Sequence, residues 1–81
     1  MYYLYVLLCA DGTLYTGIAL DIKKRVGEHN TSDKLGARYT RSRRPVRLVY
    51  SKEAGDEAAA KSEEYRFKQL PRLAKLTLCG L

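Results

Sequence analysis

YYLYVLLC (Tyr2–Cys9), ADG (Ala10–Gly12) and TLYTGI (Thr13–Ile18) read as strand, turn and strand, and their pairing decides what the rest of the chain can build. Both runs are rich in aromatic and β-branched residues, and the Asp-Gly between them is a hairpin signal. Two registers compete. A two-residue turn pairs Tyr5 with Ile18 and sends Tyr5 and Tyr15 to opposite faces. A three-residue loop, with Gly12 in the left-handed conformation, pairs Tyr5 with Gly17 and Leu7 with Tyr15. Both tyrosines then share a face, because a slip of one residue turns every side chain over. The second register is expected, since Gly17 opposite Tyr5 leaves room above the sheet.

Asp21 is a good N-cap for a short helix, Asp21 to Asn30, that Asn30-Thr31-Ser32 stops. Lys34 to Arg44 holds at most a short helical turn. Pro45 precedes a third strand, Val46–Tyr50. Gly55-Asp56 supplies another N-cap, and Glu57–Leu70 is a helix of alanine, lysine, glutamate and glutamine. Pro71 ends or kinks it, and Leu73, Leu76 and Leu78 point to a last short helix packed back on the core. The order β-β-α-(α)-β-α-α predicts an α/β (α+β) sandwich with a three-stranded sheet, a single domain over residues 1–81.

At 81 residues there is room for one modest core, and an apolar content of 46% argues against disorder. Cys9 and Cys79 are too few for a disulfide framework and lack metal-site spacing, so a reducing cytoplasm is the expected location. The apolar opening run lacks the basic n-region of a leader and is too short to span a bilayer, so it reads as a buried strand. The net charge of +6 is concentrated. Lys34, Arg38, Arg41, Arg43, Arg44 and Arg47 occur in fourteen residues without an acid, while the rest of the chain carries nine charges of each sign. Such a stretch points to a polyanion, most simply nucleic acid. A membrane surface is not expected, for want of a basic amphipathic helix with a bulky apolar face.

Arg25 stands out within the first helix. At about 100° per residue, Ile22, Arg25, Val26 and His29 share one face, and Lys23, Lys24, Gly27 and Glu28 share the other. The first face should meet the core, where an unpaired arginine is costly. The fold must supply a partner carboxylate or leave a pocket for an anionic ligand. The later helix repeats the anomaly. Ala59, Ala60, Phe67 and Leu70 define its apolar stripe, with Glu63 inside the stripe and Glu64 at its edge. Either could meet Arg25 in a plain ion pair, which would be weak evidence of anything. Yet Tyr5, Tyr15, Arg25, His29 and a glutamate converging on one side of one sheet form the parts list of phosphodiester hydrolysis. Arginine clamps a phosphate, a carboxylate holds a divalent metal, and a phenol or imidazole takes a proton from the attacking water.

Tyr3-Leu4-Tyr5, Tyr15-Thr16-Gly17, Arg25, His29 and Glu64-Tyr65-Arg66-Phe67-Lys68, in that order and spacing, resemble the GIY-YIG nuclease superfamily. Leu14 to Ile18 with Asp21 to Arg25, Tyr39-Thr40 and Leu48-Val49-Tyr50 look like its small stand-alone bacterial members. Tyr3-Leu4 stands where the name motif has Gly-Ile, and Thr16 where it has a branched apolar residue. The resemblance implies an antiparallel three-stranded sheet flanked by helices. It implies a single divalent ion, Mg²⁺ or Mn²⁺, on Glu64, and Tyr15 as general base or water-orienting group with Tyr5 beside it. It also implies Arg25 on the scissile phosphate, and His29 assisting proton transfer or phosphate contact. An unperturbed phenol titrates near about 10, so Arg25 and the metal are expected to favour the phenolate.

The expected function is a metal-dependent endonuclease acting on DNA, branched, damaged or single-stranded, in repair or recombination. A partner protein is a further expectation. The basic segment Lys34 to Arg47 would follow the DNA backbone. The alternative is a non-catalytic nucleic-acid-binding module on the same scaffold. A third reading is a structural domain in which Arg25 and a glutamate merely pair.

Overall fold

The computed structural model describes residues 1–81. The strands are β1 (Tyr2–Leu8), β2 (Leu14–Ala19) and β3 (Arg47–Gly55). The helices are α1 (Ile22–Thr31), α2 (Arg38–Arg41), α3 (Glu57–Gln69) and α4 (Arg72–Leu78). The sheet is antiparallel throughout, in the order β2-β1-β3.

The hairpin adopts the three-residue register, with Tyr5 opposite Gly17 and Leu7 opposite Tyr15. Gly12 takes the left-handed conformation at φ +84°, which a side chain would resist. Asp11 fixes the loop by accepting from the Thr13 amide at 3.1 Å and the Thr13 hydroxyl at 2.6 Å. Asp21 and Asp56 cap α1 and α3 as expected, accepting from the amides of Lys24 and Ala59.

Two segments differ from expectation. Strand β3 continues five residues beyond Tyr50, because Ser51, Lys52 and Glu53 pair with Tyr5, Leu4 and Tyr3 of the central strand. These polar residues have weak strand preference of their own, and ladder hydrogen bonds to β1 override it. In α4, only Leu76 of the three leucines is half-buried. Leu73 and Leu78 are exposed, and Cys79, just past the helix, packs into the core instead.

Each face of the sheet has its own core. Leu4 and Val6 pack with Ala54, Ala60, Phe67 and Cys79 beneath α3 and the end of α4. Tyr5, Leu7, Cys9, Ala19 and Val46 form the other core, against Tyr15, Ile22 and Val26. Asn30 ties the end of α1 to the start of β3, donating to the Val46 carbonyl at 2.9 Å and accepting from its amide at 2.8 Å. Both cysteines are free and buried. No helix is long and apolar enough to cross a membrane.

Candidate active site

Bare Gly17 creates the site. It lies on edge strand β2, and the hydroxyl end of Tyr5, reaching over from central strand β1, covers it. A Cβ at Gly17 would lie 2.5 Å from the Tyr5 oxygen. Tyr5 is fully buried, and its hydroxyl meets His29 Nε2 at 2.9 Å. His29 is itself inaccessible, and its Nδ1 meets the Thr40 hydroxyl at 2.8 Å. Tyr15 stands beside them, its ring edge-on to His29 at 5.0 Å and stacked on Tyr39 at 5.8 Å. The Tyr15 hydroxyl has no partner within the protein. Since no side-chain polar atom is both buried and unpartnered, that hydroxyl faces solvent.

Arg25 is half-buried and does not meet Glu63 or Glu64. Its Nη1 donates to Glu28 Oε1 at 3.0 Å and to the Leu35 carbonyl. The face assignment that put Glu28 opposite Arg25 therefore needs correction. Residues three apart are helix neighbours, and that spacing was the available signal. An arginine has five N–H donors, so others remain. Arg25 also approaches the Tyr5 hydroxyl and favours its ionised form.

Glu63 and Glu64 separate cleanly. Glu63 turns toward β3, held by Lys52 at 2.8 Å and by Arg66. Glu64 is close enough to act on both phenols through space. Its one cation is Lys68, at 3.5 Å on the same helix. The expectation of five groups on one side of the sheet is thus amended. Tyr5, Tyr15, Arg25 and His29 share one face, and Glu64 comes from the helix covering the other.

Burial dominates the protonation of the site. It pushes the Tyr5 phenol up to about 12, over the opposing pull of Arg25. Tyr15 is also raised, by burial first and by Glu64, with Arg25 pulling the other way. Arg25 favours the Tyr15 phenolate, as expected, but in the protein alone desolvation outweighs the cation. His29 is pushed down to about 4, by burial and then by the positive charges of Arg25 and Arg44. It is neutral at pH 7 and, walled in behind Tyr5, out of reach of a phosphate.

His29 is the one histidine of the chain, and its folded pKa lies below the unfolded value near 6.5. The unfolded state then binds more protons between these values, so stability is full above about pH 6.5 and falls toward pH 4, by at most about 3 kcal/mol. Urea melts from pH 7.5 to 4.5 should show this loss in the wild type and little of it in His29→Gln. A wild type of constant stability down to pH 5 would contradict it.

The six-cation stretch divides. Arg44 donates to the His29 carbonyl at 2.7 Å, the Ser32 carbonyl at 3.0 Å and Asp33 at 2.9 Å. Arg43 donates to Asp11 at 3.0 Å and lies 4.0 Å over the Tyr39 ring. These two are committed to the fold, whereas Lys34, Arg38, Arg41 and Arg47 are exposed. Sequence reasoning also missed Thr40, whose relation to His29 exists only once α2 folds back on α1.

For a metal, the donor set is one carboxylate. Nowhere do three or more His, Cys, Asp or Glu side chains gather as metal ligands. A lone, half-buried Glu64 with a weak lysine partner fits an Mg²⁺-like ion that keeps its waters and takes other oxygens from substrate. It does not fit zinc or calcium. The larger recesses lie elsewhere, including about 440 Å³ beside Lys61, Ser62, Tyr65 and Arg66, so chemistry rather than size locates this site.

Comparison with known proteins agrees with the fold. A UPF0213 protein of Desulfotalea psychrophila is 54% identical over 95% of this chain and 69% of its own length. One from Streptococcus agalactiae is 52% identical over 93% of the chain and 83% of its own. The solution NMR structure of a UPF0213 protein from Bacillus halodurans matches 99% of this chain and 84% of its own, with 38% identity and a TM-score of 0.59. A second NMR structure, from E. faecalis, gives 36% identity, 95% and 81% coverage, and a TM-score of 0.62. The model of the GIY-YIG catalytic domain matches residues 1–76, and the chain belongs to that family.

Proposed function

We propose that the chain is a divalent-metal-dependent endonuclease domain that hydrolyses DNA phosphodiester bonds in repair or recombination. One observation carries this reading: a half-buried Arg25 with donors to spare and Glu64 bear, from different elements, on buried Tyr5 and on Tyr15, whose hydroxyl is open to solvent. In hydrolysis, water oxygen bonds to phosphorus as the ester P–O bond breaks, and charge builds on the phosphoryl oxygens. Arg25 would hold those oxygens. Tyr15 would orient the water, and Tyr5 would share the proton path beside it. Glu64 would hold Mg²⁺ or Mn²⁺, which would supply Lewis-acid stabilisation. His29 would keep Tyr5 in place rather than touch substrate.

The test is purified protein with Mg²⁺ or Mn²⁺ on supercoiled, branched and single-stranded DNA. Cutting that EDTA stops is expected. If every substrate stays intact while salt-sensitive binding persists, the domain is a binding module instead.

The division of the basic stretch gives a second prediction. Each phosphate contact contributes about 0.9 to the slope of log affinity against log salt. Arg38→Ala with Arg41→Ala should flatten that slope by up to about 2 in fluorescence anisotropy. Arg44→Ala should lower the melting temperature instead, since its three bonds hold the end of α1. Equal loss of slope from both variants would refute the division.

A further inference from the structure

We propose that Thr40, with the backbone amide of Ala37, is a positioning residue: together they fix His29 with its proton on Nε2, so that the imidazole donates to the Tyr5 oxygen. This rests on the nuclease reading for its consequence, though not for its geometry.

A neutral imidazole offers one donor and one acceptor. Two groups meet His29 Nδ1: the Thr40 hydroxyl at 2.8 Å and the Ala37 N–H at 3.4 Å. The backbone amide cannot turn. Ala37 is the N-cap of α2, so its N–H lies outside the helical ladder and points at the ring. A proton on Nδ1 would oppose it, but at 3.4 Å the amide alone is a weak constraint and the closer Thr40 hydroxyl must complete it. The Thr40 hydroxyl can rotate between Nδ1 and the Ala37 carbonyl at 3.0 Å. That carbonyl already receives the amides of Thr40 and Arg41, at 3.2 Å each. The hydroxyl proton therefore belongs on Nδ1, and Nε2 carries the ring hydrogen 2.9 Å from Tyr5.

The consequence reaches the open site. The Tyr5 oxygen then receives a hydrogen bond from His29 and feels the pull of Arg25. Four-residue α2 thus seats both phenols, Tyr5 through Thr40 and His29, and Tyr15 through the stacked ring of Tyr39. Thr40 is fully buried and would touch neither substrate nor metal.

The tautomer can be read directly, because the chain has a single histidine. Nitrogen-15 NMR of histidine-labelled wild type at pH 7 should show Nε2 protonated and Nδ1 as acceptor. A protonated Nδ1 overturns the proposal, whether or not any variant folds. Thr40→Val should mix the tautomers and lower kcat about tenfold with KM within about twofold, the scale of outer-shell losses. Thr40→Ser should restore both the spectrum and the rate. Wild-type spectrum and rate in Thr40→Val would also overturn it. If wild type cuts no DNA, the nuclease reading fails, while the spectrum still decides the His29 assignment.

Discussion

Glu64→Gln should abolish cleavage, by on the order of 10³-fold, and leave the melting temperature nearly unchanged. The carboxylate is half-buried and makes no hydrogen bond in the fold beyond its loose contact with Lys68 at 3.5 Å. Exposed i,i+4 pairs of that kind contribute a few tenths of a kcal/mol, about 0.3–0.5. Glutamine keeps the shape and removes the charge, so whatever Glu64 contributes as an anion disappears while the packing stays. Glu63→Gln is the matched control one residue away. Glu63 is bonded to Lys52 and Arg66 and faces β3, away from the phenols. Its loss should cost a little stability and leave the rate alone. Cleavage rates in Mg²⁺, thermal melts and Mn²⁺ titration calorimetry on the three proteins make the comparison. Wild-type cleavage by Glu64→Gln, or loss in Glu63→Gln alone, would move the metal position off Glu64.

The contrast between these two glutamates shows where sequence reading reached its limit. Helical periodicity placed both near the apolar stripe and could not choose, because they lie only about 100° apart. The choice depends on which side of α3 faces β2 and which faces β3, a tertiary fact that enters through Lys52. The hairpin register was legible because a single glycine opposite a tyrosine is a local signal. So were both aspartate caps. The extent of β3 was not, since Ser51, Lys52 and Glu53 are strand only by virtue of pairing with β1. Among the cations, composition marked the stretch but could not tell the tethered Arg43 and Arg44 from the free Arg38 and Arg41. That depends on Asp11 and Asp33, one of them remote in sequence. Arg25 is legible as an anomaly in the apolar stripe, whereas its partner Glu28, three residues on, is assigned by periodicity to the opposite face.

Gly17→Ala should damage both stability and rate, although alanine adds one methyl group. The new Cβ would lie 2.5 Å from the Tyr5 oxygen and 2.7 Å from Cζ, closer than carbon atoms approach without displacement. A flexible side-chain end would swing clear. Tyr5 has little freedom to do so, being buried, bonded to His29, and packed 6.5 Å from the Tyr15 ring. Displacing it strains the core by about 1–3 kcal/mol. It also strips a buried imidazole of its partner, at a further cost of about 1–3 kcal/mol. The same displacement moves the phenol that lines the site, and an error of about 1 Å in a reacting geometry costs on the order of 10²-fold. Backbone strain is not the reason, since the positive-φ glycines are Gly12, Gly55 and Gly80. Gly27→Ala provides the opposite sign from the same substitution. Gly27 lies within α1, exposed, with nothing within 4 Å of a Cβ, so alanine there should stabilise by up to about 1 kcal/mol and leave the rate unchanged. Urea melts and DNA cleavage on the two variants read both effects. A Gly17→Ala protein with wild-type stability and rate would show that Tyr5 can move aside, and that its place over Gly17 is not what the site requires.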